Sequence, residues 1–234
     1  IPDSEFKGIG GSKMITEGLD HIRHISQMNF MGFAEVLKHL PFIYHTFNDV
    51  EKIADTWKPD IAILIDYPGF NLKLAPILKK KKIPVVYYIS PQLWAWHKNR
   101  VYIVRDYVDK MVVLFEFEKE FYKQYGINAE FVGHPLIDIA KPVMGRDDFR
   151  KSIGACEDTP VIGFMPGSRK QEIDRIFPQM VEGFKILKAK NNKVIGLVAI
   201  APDIDDRIYK KYLKDDNLKC ITGKTYDIMS HSDI

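Results

Sequence analysis

What most constrains the fold of this chain is an alternation of short apolar runs with helix-length segments. Runs of strand length occur near 61–65, 84–89, 111–115, 130–133, 161–165, 194–200 and 218–221. Helical patterns fill most intervals, at about 45–57, 72–82, 98–108, 117–125, 178–190 and 205–214. Strands joined through helices form βαβ units, and these build mostly parallel sheets. Ile61-Ala62-Ile63-Leu64-Ile65 is continuous and rich in branched side chains, the pattern of a fully buried strand. A polar interval from Lys141 to Asp148 separates the first four strands from the last three, and predicts domains over 1–143 and 144–234. The expected architecture is α/β, with two Rossmann-like halves and a cleft between them.

Composition narrows the function classes. A net charge of +3 with 28% charged residues is that of an ordinary globular protein and argues against nucleic acid as a partner. The basic run Lys79 to Lys82 closes a predicted helix, where it complements the negative end of the dipole. Cys156 and Cys220 share no motif spacing, which suits a reducing compartment and excludes a disulfide framework or a cysteine metal site. No apolar run approaches the roughly 18 residues that span a bilayer, and no signal peptide is evident. The chain begins at Ile1 rather than Met, so its natural N-terminus is expected to be absent.

Candidate chemistry falls where strands end. In Asp66-Tyr67-Pro68-Gly69-Phe70-Asn71 a carboxylate stands at the end of an apolar strand, just before Pro and Gly break it. Ligands of open α/β sheets bind outside the carboxyl ends of the strands, so Asp66 can meet a substrate. Equally, an Asp here can cap a turn through backbone N–H groups. Pro166-Gly167-Ser168-Arg169 likewise follows a strand, and Glu172-Ile173 opens a helical turn that Pro178 restarts or kinks. A loop of this kind offers N–H groups to an anion and Arg169 adds a phosphate-matching fork, or it is a plain turn with a solvated Arg. It is not a P-loop, because the Gly-Lys-Ser/Thr ending is missing. Asp203-Ile204-Asp205 has the spacing of a metal-binding DxD, but reads better as the acidic first turn of the helix 205–214. Met28, Phe30, Met31, Phe33, Val36, Leu37, Leu40, Phe42 and Ile43 form an apolar patch too wide for one helical face, suited to core packing or to a membrane surface.

Five segments in order carry a resemblance. They are Gly8-Ile9-Gly10-Gly11 with Met14, Asp66 to Asn71, Tyr88-Ile89-Ser90-Pro91-Gln92-Leu93-Trp94-Ala95-Trp96, Phe131-Val132-Gly133-His134-Pro135-Leu136 with Asp138, and Pro166 to Arg169 with Glu172-Ile173. Together they resemble the lipid A disaccharide synthase family across most of the chain.

The resemblance implies a GT-B-like α/β fold, with mostly parallel sheets facing a central cleft. Residues 1–143 would form the acceptor-side domain, lacking its first strand, and 144–234 part of the nucleotide-sugar-binding domain. It implies an inverting transfer of 2,3-diacylglucosamine from UDP to 2,3-diacylglucosamine 1-phosphate, giving a β-1,6 disaccharide phosphate and UDP, with no cofactor and no metal. Asp66 matches the general base. Arg169, with Ser168 and Gly167, falls near the donor phosphates or uracil. Asn71 fixes the Asp66 loop or bonds substrate, and Ser90, Trp94 and His134 line the same cleft. His97, His39 and His45 stand outside any motif and receive no role.

Gly69 stands where some relatives carry a second Asp, which therefore cannot be essential. Met31, Phe33, Leu37 and Leu40 would meet the inner membrane, implying a cytoplasmic, peripheral protein, with a homodimer open. The family's Ser-Gly-Asp loop before Ile1 and its Ser-Gly-Thr loop after Ile234 are missing, so the 234-residue chain alone is expected to be inactive. Two rival classes stay open: another GT-B enzyme acting on UDP-N-acetylglucosamine, and a non-catalytic lipid- or partner-binding relative.

Overall fold

The computed structural model describes residues 3–28, 38–201, 204–213 and 215–234. Two compact units divide the chain, Ile1–His134 and Pro135–Ile234, so the division precedes the expected 143/144 boundary. The first unit holds β1 (Phe6–Gly10), α1 (Ser12–Thr16), β2 (Leu19–His24), α2 (Leu40–Trp57), β3 (Ala62–Ile65), α3 (Pro68–Lys80), β4 (Val85–Tyr88), α4 (Val101–Tyr107), β5 (Lys110–Val113), α5 (Glu116–Lys123) and β6 (Ala129–Phe131). The second holds α6 (Leu136–Ile139), α7 (Arg146–Ile153), β7 (Val161–Phe164), α8 (Lys170–Lys190), β8 (Ile195–Ile200), α9 (Arg207–Lys210), β9 (Leu218–Thr222) and α10 (Thr225–His231).

Every strand pairing is parallel. The sheets run β1-β2, β3-β4-β5-β6 and β7-β8-β9. The seven strands expected from apolar runs all form. β1 and β2 are additional, and they are polar, with Lys7 paired to Asp20 at 2.7 Å. The glycine motif belongs to this pair: a Cβ on Gly10 would lie 2.4 Å from Leu19 Cδ2 and 3.2 Å from Met14 Cβ, so glycine gives β2 and α1 a close approach there.

β3 corrects an expectation. Leu64 is buried in the core, but Ile63 and Ile65 are 51% and 42% exposed. β3 is an edge strand of its sheet, and no described element covers the face that carries those two side chains. Beneath the sheet, Val85, Tyr87, Met111 and Val113 pack with Leu74, Ala75, Leu78, Val101 and Val104 of α3 and α4. Part of the apolar patch joins this core, since Met28 is buried and Phe42 and Ile43 pack against it. Leu40 is 48% exposed at the start of α2, while Met31, Phe33 and Leu37 lie outside the described residues.

The lysine run is largely committed to this unit. Lys81 pairs with Asp55 at 2.5 Å and Glu51 at 3.3 Å, and Lys79 pairs with Asp109. Asp109 also accepts the Val85 N–H at 2.9 Å, tying α3 and the start of β4 together. The Lys79 ammonium, and then that N–H, hold its carboxyl below the ordinary 3.8. A lowered carboxyl contributes stability that is complete above its unfolded value and is lost as pH falls through the folded one. Urea midpoints of wild type and Asp109→Asn should therefore differ at about pH 6 and converge toward about pH 2.

In the second unit α8 is one helix across Pro178, so it does not restart there. Proline leaves the Asp174 carbonyl without its ladder donor. Ile173, Phe177, Val181 and Phe184 form one buried stripe against β7 and β8, and that packing holds the helix across the gap. The helix expected over 205–214 is only the short α9.

Candidate active site

Four consecutive parallel strands bring their carboxyl ends to one edge of the first unit, and a pocket of about 560 Å³ opens there. Asp66 reaches it from the end of β3, Ser90, Trp94 and Trp96 from beyond β4, Phe115 from beyond β5, and His134 from beyond β6. This is where an open parallel sheet accepts a ligand. Its polar and apolar walls are set by loops whose shape the core dictates.

The backbone at Asp66 is unusual. Asp66 and Tyr67 have φ of +45° and +43°, two successive left-handed residues without glycine. Hydrogen bonds hold both, including those from the Phe70 and Asn71 N–H groups to the Tyr67 carbonyl (3.1 and 3.0 Å). The Asp66 N–H donates to Tyr88 O (2.9 Å), and the Asp66 carbonyl accepts from Asn71 Nδ2 (2.7 Å) and the Tyr87 hydroxyl (2.6 Å). The Tyr67 hydroxyl donates to Met28 O (2.9 Å). Burial, and then the nearby Asp66 charge, push the Tyr87 hydroxyl far up, so it stays a neutral donor. The Asp66 carboxylate itself accepts no hydrogen bond and joins no ion pair among the described residues. A capping Asp would be bonded to backbone N–H groups. Asp66 is aimed into the pocket with its oxygens uncommitted.

Asn71 realises one of its two expected roles. It is buried and donates to Ile65 O (3.0 Å) as well as to Asp66 O, and it does not line the pocket. Both amide protons are thus spent on the loop. Asn71→Leu should take the side-chain donor from the Ile65 carbonyl and one of two from that of Asp66, and cost about 1–3 kcal/mol in urea unfolding.

Further strain lies along the pocket wall. Ile89 and His97 have φ of +65° and +54°, and both line the pocket. For a β-branched residue this is a true outlier, and such outliers cluster at functional sites. Ser90 is buried, with its hydroxyl bonded to Tyr122 Oη (2.9 Å) and Pro91 O (3.0 Å), so it shapes the wall more than it offers a donor. Trp94 is 40% exposed and meets Phe117 edge-to-face at 5.3 Å. His134 rests against Phe115 at 5.7 Å. Glu118 is buried and accepts the Leu114 and Phe115 N–H groups, which fixes the start of α5. Sequence reasoning passed over His97 and Arg100, which also line the pocket. Their signal was position alone, just past the carboxyl end of a strand.

Gly167, Ser168 and Arg169 belong to the second unit. Gly167 has φ +113°, and a Cβ there would lie 2.6 Å from Glu172 Oε2. Glu172 accepts the Ser168 N–H (3.2 Å) and the Arg169 guanidinium (2.7 Å), and Arg169, more than the N–H, draws its carboxyl below the usual range. Arg169 is therefore paired at rest, through an exposed contact of small net worth that an incoming anion can displace. Asp205 is bound by Arg207, which holds its carboxyl at about 2, and Asp206 pairs with Lys210. Asp203 lies outside the described residues.

The family model for lipid-A-disaccharide synthetase matches residues 1–234. The chain is 38% identical over 235 residues to lipid-A-disaccharide synthase 1 of Legionella pneumophila strain Philadelphia 1, covering 99% of this chain and 61% of that protein. It is 43% identical over 192 residues to lipid-A-disaccharide synthase of Koribacter versatilis, covering 82% and 50%. The chain thus spans half to three fifths of the length of these curated relatives. Among solved structures, UDP-GlcNAc 2-epimerase from Neisseria meningitidis bound to UDP-GlcNAc matches with a TM-score of 0.59 at 13% identity, over 98% of this chain and 76% of that one. The corresponding enzyme from Methanocaldococcus jannaschii gives 0.54 at 16%, over 97% and 76%. Likeness at that identity speaks to fold alone, and the fold is GT-B-like α/β with parallel sheets. By sequence, the chain belongs to the lipid-A-disaccharide synthetase family.

Proposed function

We propose that this chain carries the acceptor-side catalytic centre, and part of the donor side, of an inverting glycosyltransferase. The reaction moves 2,3-diacylglucosamine from its UDP carrier to the 6-hydroxyl of 2,3-diacylglucosamine 1-phosphate. Family membership supports the substrates. The observation that carries the mechanism is the uncommitted Asp66 carboxylate, held by a strained and bonded loop inside a substrate-sized pocket.

Asp66 takes the proton of the acceptor hydroxyl as that oxygen forms its bond to the anomeric carbon. The bond from that carbon to the UDP oxygen breaks on the opposite face, so configuration inverts. Charge developing on UDP is met by Arg169, released from Glu172. Trp94, Ser90 and His134 shape the acceptor side. No described helix is long and apolar enough to cross a membrane. The acylated substrates instead suit a cytoplasmic protein resting on the inner membrane, through Leu40 and the neighbouring Met31, Phe33 and Leu37. A homodimer is compatible with this arrangement.

The test is UDP release by a family-length polypeptide carrying this sequence, supplied with both diacyl substrates. Release that requires both supports transfer. Release from the donor alone, or with an acceptor lacking acyl chains at equal rate, would point to a different UDP-sugar enzyme.

A further inference from the structure

We propose that Arg100, with His97 beside it, forms a phosphoryl-binding subsite in the Asp66 pocket. The proposal rests on the functional reading above and deepens it by naming a residue for one charged group of the substrates. Arg100 lines the pocket together with Asp66 and His97. Among the described residues its guanidinium takes no hydrogen-bond or ion-pair partner. The acids of the same pocket do not neutralise it. Glu118 is buried and committed to the Leu114 and Phe115 N–H groups, and Asp66 is unpaired. A cation and an anion that share a cavity without pairing are each available to a ligand carrying the complementary group.

The backbone supports the placement. His97 is held at φ +54°, and its carbonyl accepts the Arg100 N–H at 2.9 Å, so the turn that presents both side chains is fixed rather than loose. A planar guanidinium matches two oxygens of a phosphoryl group, and an imidazole N–H adds one more donor. Both substrates of the proposed reaction carry phosphoryl groups. The acceptor has a phosphate monoester, and the donor a diphosphate.

The 234-residue chain can report directly, because Trp94 and Trp96 line the same pocket. Tryptophan fluorescence would be titrated with 2,3-diacylglucosamine 1-phosphate, with its dephosphorylated counterpart and with UDP, for wild type, Arg100→Gln, Arg100→Lys and Lys98→Gln. We expect wild type to prefer a phosphorylated ligand by roughly 10- to 100-fold. Arg100→Gln should erase that preference without moving the unfolding midpoint. Arg100→Lys should restore part of it, and Lys98→Gln, outside the pocket wall, should leave it intact. Loss confined to the sugar 1-phosphate assigns the subsite to the acceptor, and loss confined to UDP assigns it to the donor. A preference that survives Arg100→Gln, or no preference in wild type, overturns the proposal. Phosphate-dependent binding without UDP release in the family-length protein would sink the transfer reading and leave the subsite standing.

Discussion

Asp66→Asn in a family-length protein should lower kcat by about 10²-fold or more, the usual scale for loss of a general base, with donor affinity and unfolding midpoint unchanged. The substitution is unusually clean here. Asn is as tolerant as Asp of a left-handed backbone, so the loop keeps its φ of +45°. The carboxylate has no partner to lose, and the hydrogen bonds that hold the loop go to the backbone of Asp66. Asp66→Ala would confound the result, since alanine strains at that φ. UDP release with both diacyl substrates, read beside a urea melt of each protein, decides the matter. Unchanged turnover would make Asp66 a turn residue and remove the base from the mechanism.

The largest expected loss of stability lies in the second unit. Arg150→Met should cost about 3–5 kcal/mol, whereas Arg146→Met, one turn earlier on α7, should cost no more than about 1 kcal/mol. Both arginines reach Asp233, at 3.4 and 2.8 Å. Their difference is burial. Arg150 is only 6% exposed, and its Nη2 faces the carbonyls of Cys156 (2.8 Å), Glu157 (3.0 Å) and Thr159 (2.6 Å). It thereby shapes the whole approach to β7. Methionine fills the volume but leaves those acceptors without a donor. Arg146 makes an exposed contact that water replaces. Urea unfolding of the two variants measures the contrast directly, and equal losses would show that the Asp233 pair, not the carbonyls, carries the energy.

How much of this was legible beforehand depended on what each element uses for its stability. β4, β5, β7 and β8 bury apolar runs, and a run of that length has few other uses. β1 and β2 are held by cross-strand polar contacts and a glycine approach, so their residues, such as Lys7, Asp20 and Arg23, carry no strand-like apolar signal. β3 has an interior strand's composition on a sheet edge, which only pairing reveals. At Pro178 the helix continues instead of restarting, because the stripe of buried side chains around it offsets the local penalty.

At the site, Asp66 was readable because strand, turn and carboxylate are adjacent in sequence. The donors that fix it are not. Tyr87 comes from the next strand, and its hydroxyl has a purpose only once β3 and β4 lie side by side. Arg100 and His97 were invisible for the same reason, since nothing local distinguishes them from a solvated turn. The positive φ of Ile89 has no sequence signal either, because isoleucine is the residue least expected there.

That pocket wall also bears on how such a protein can evolve. Selection for heat resistance alone would favour glycine or asparagine at Ile89, since either relieves a left-handed strain of about 1–3 kcal/mol. Each relaxed lineage would loosen the wall beside the carboxylate. Survivors of a thermostability screen changed at this position should therefore be slower than their ancestor, and a lineage under selection for both traits should harden elsewhere and leave Ile89 alone.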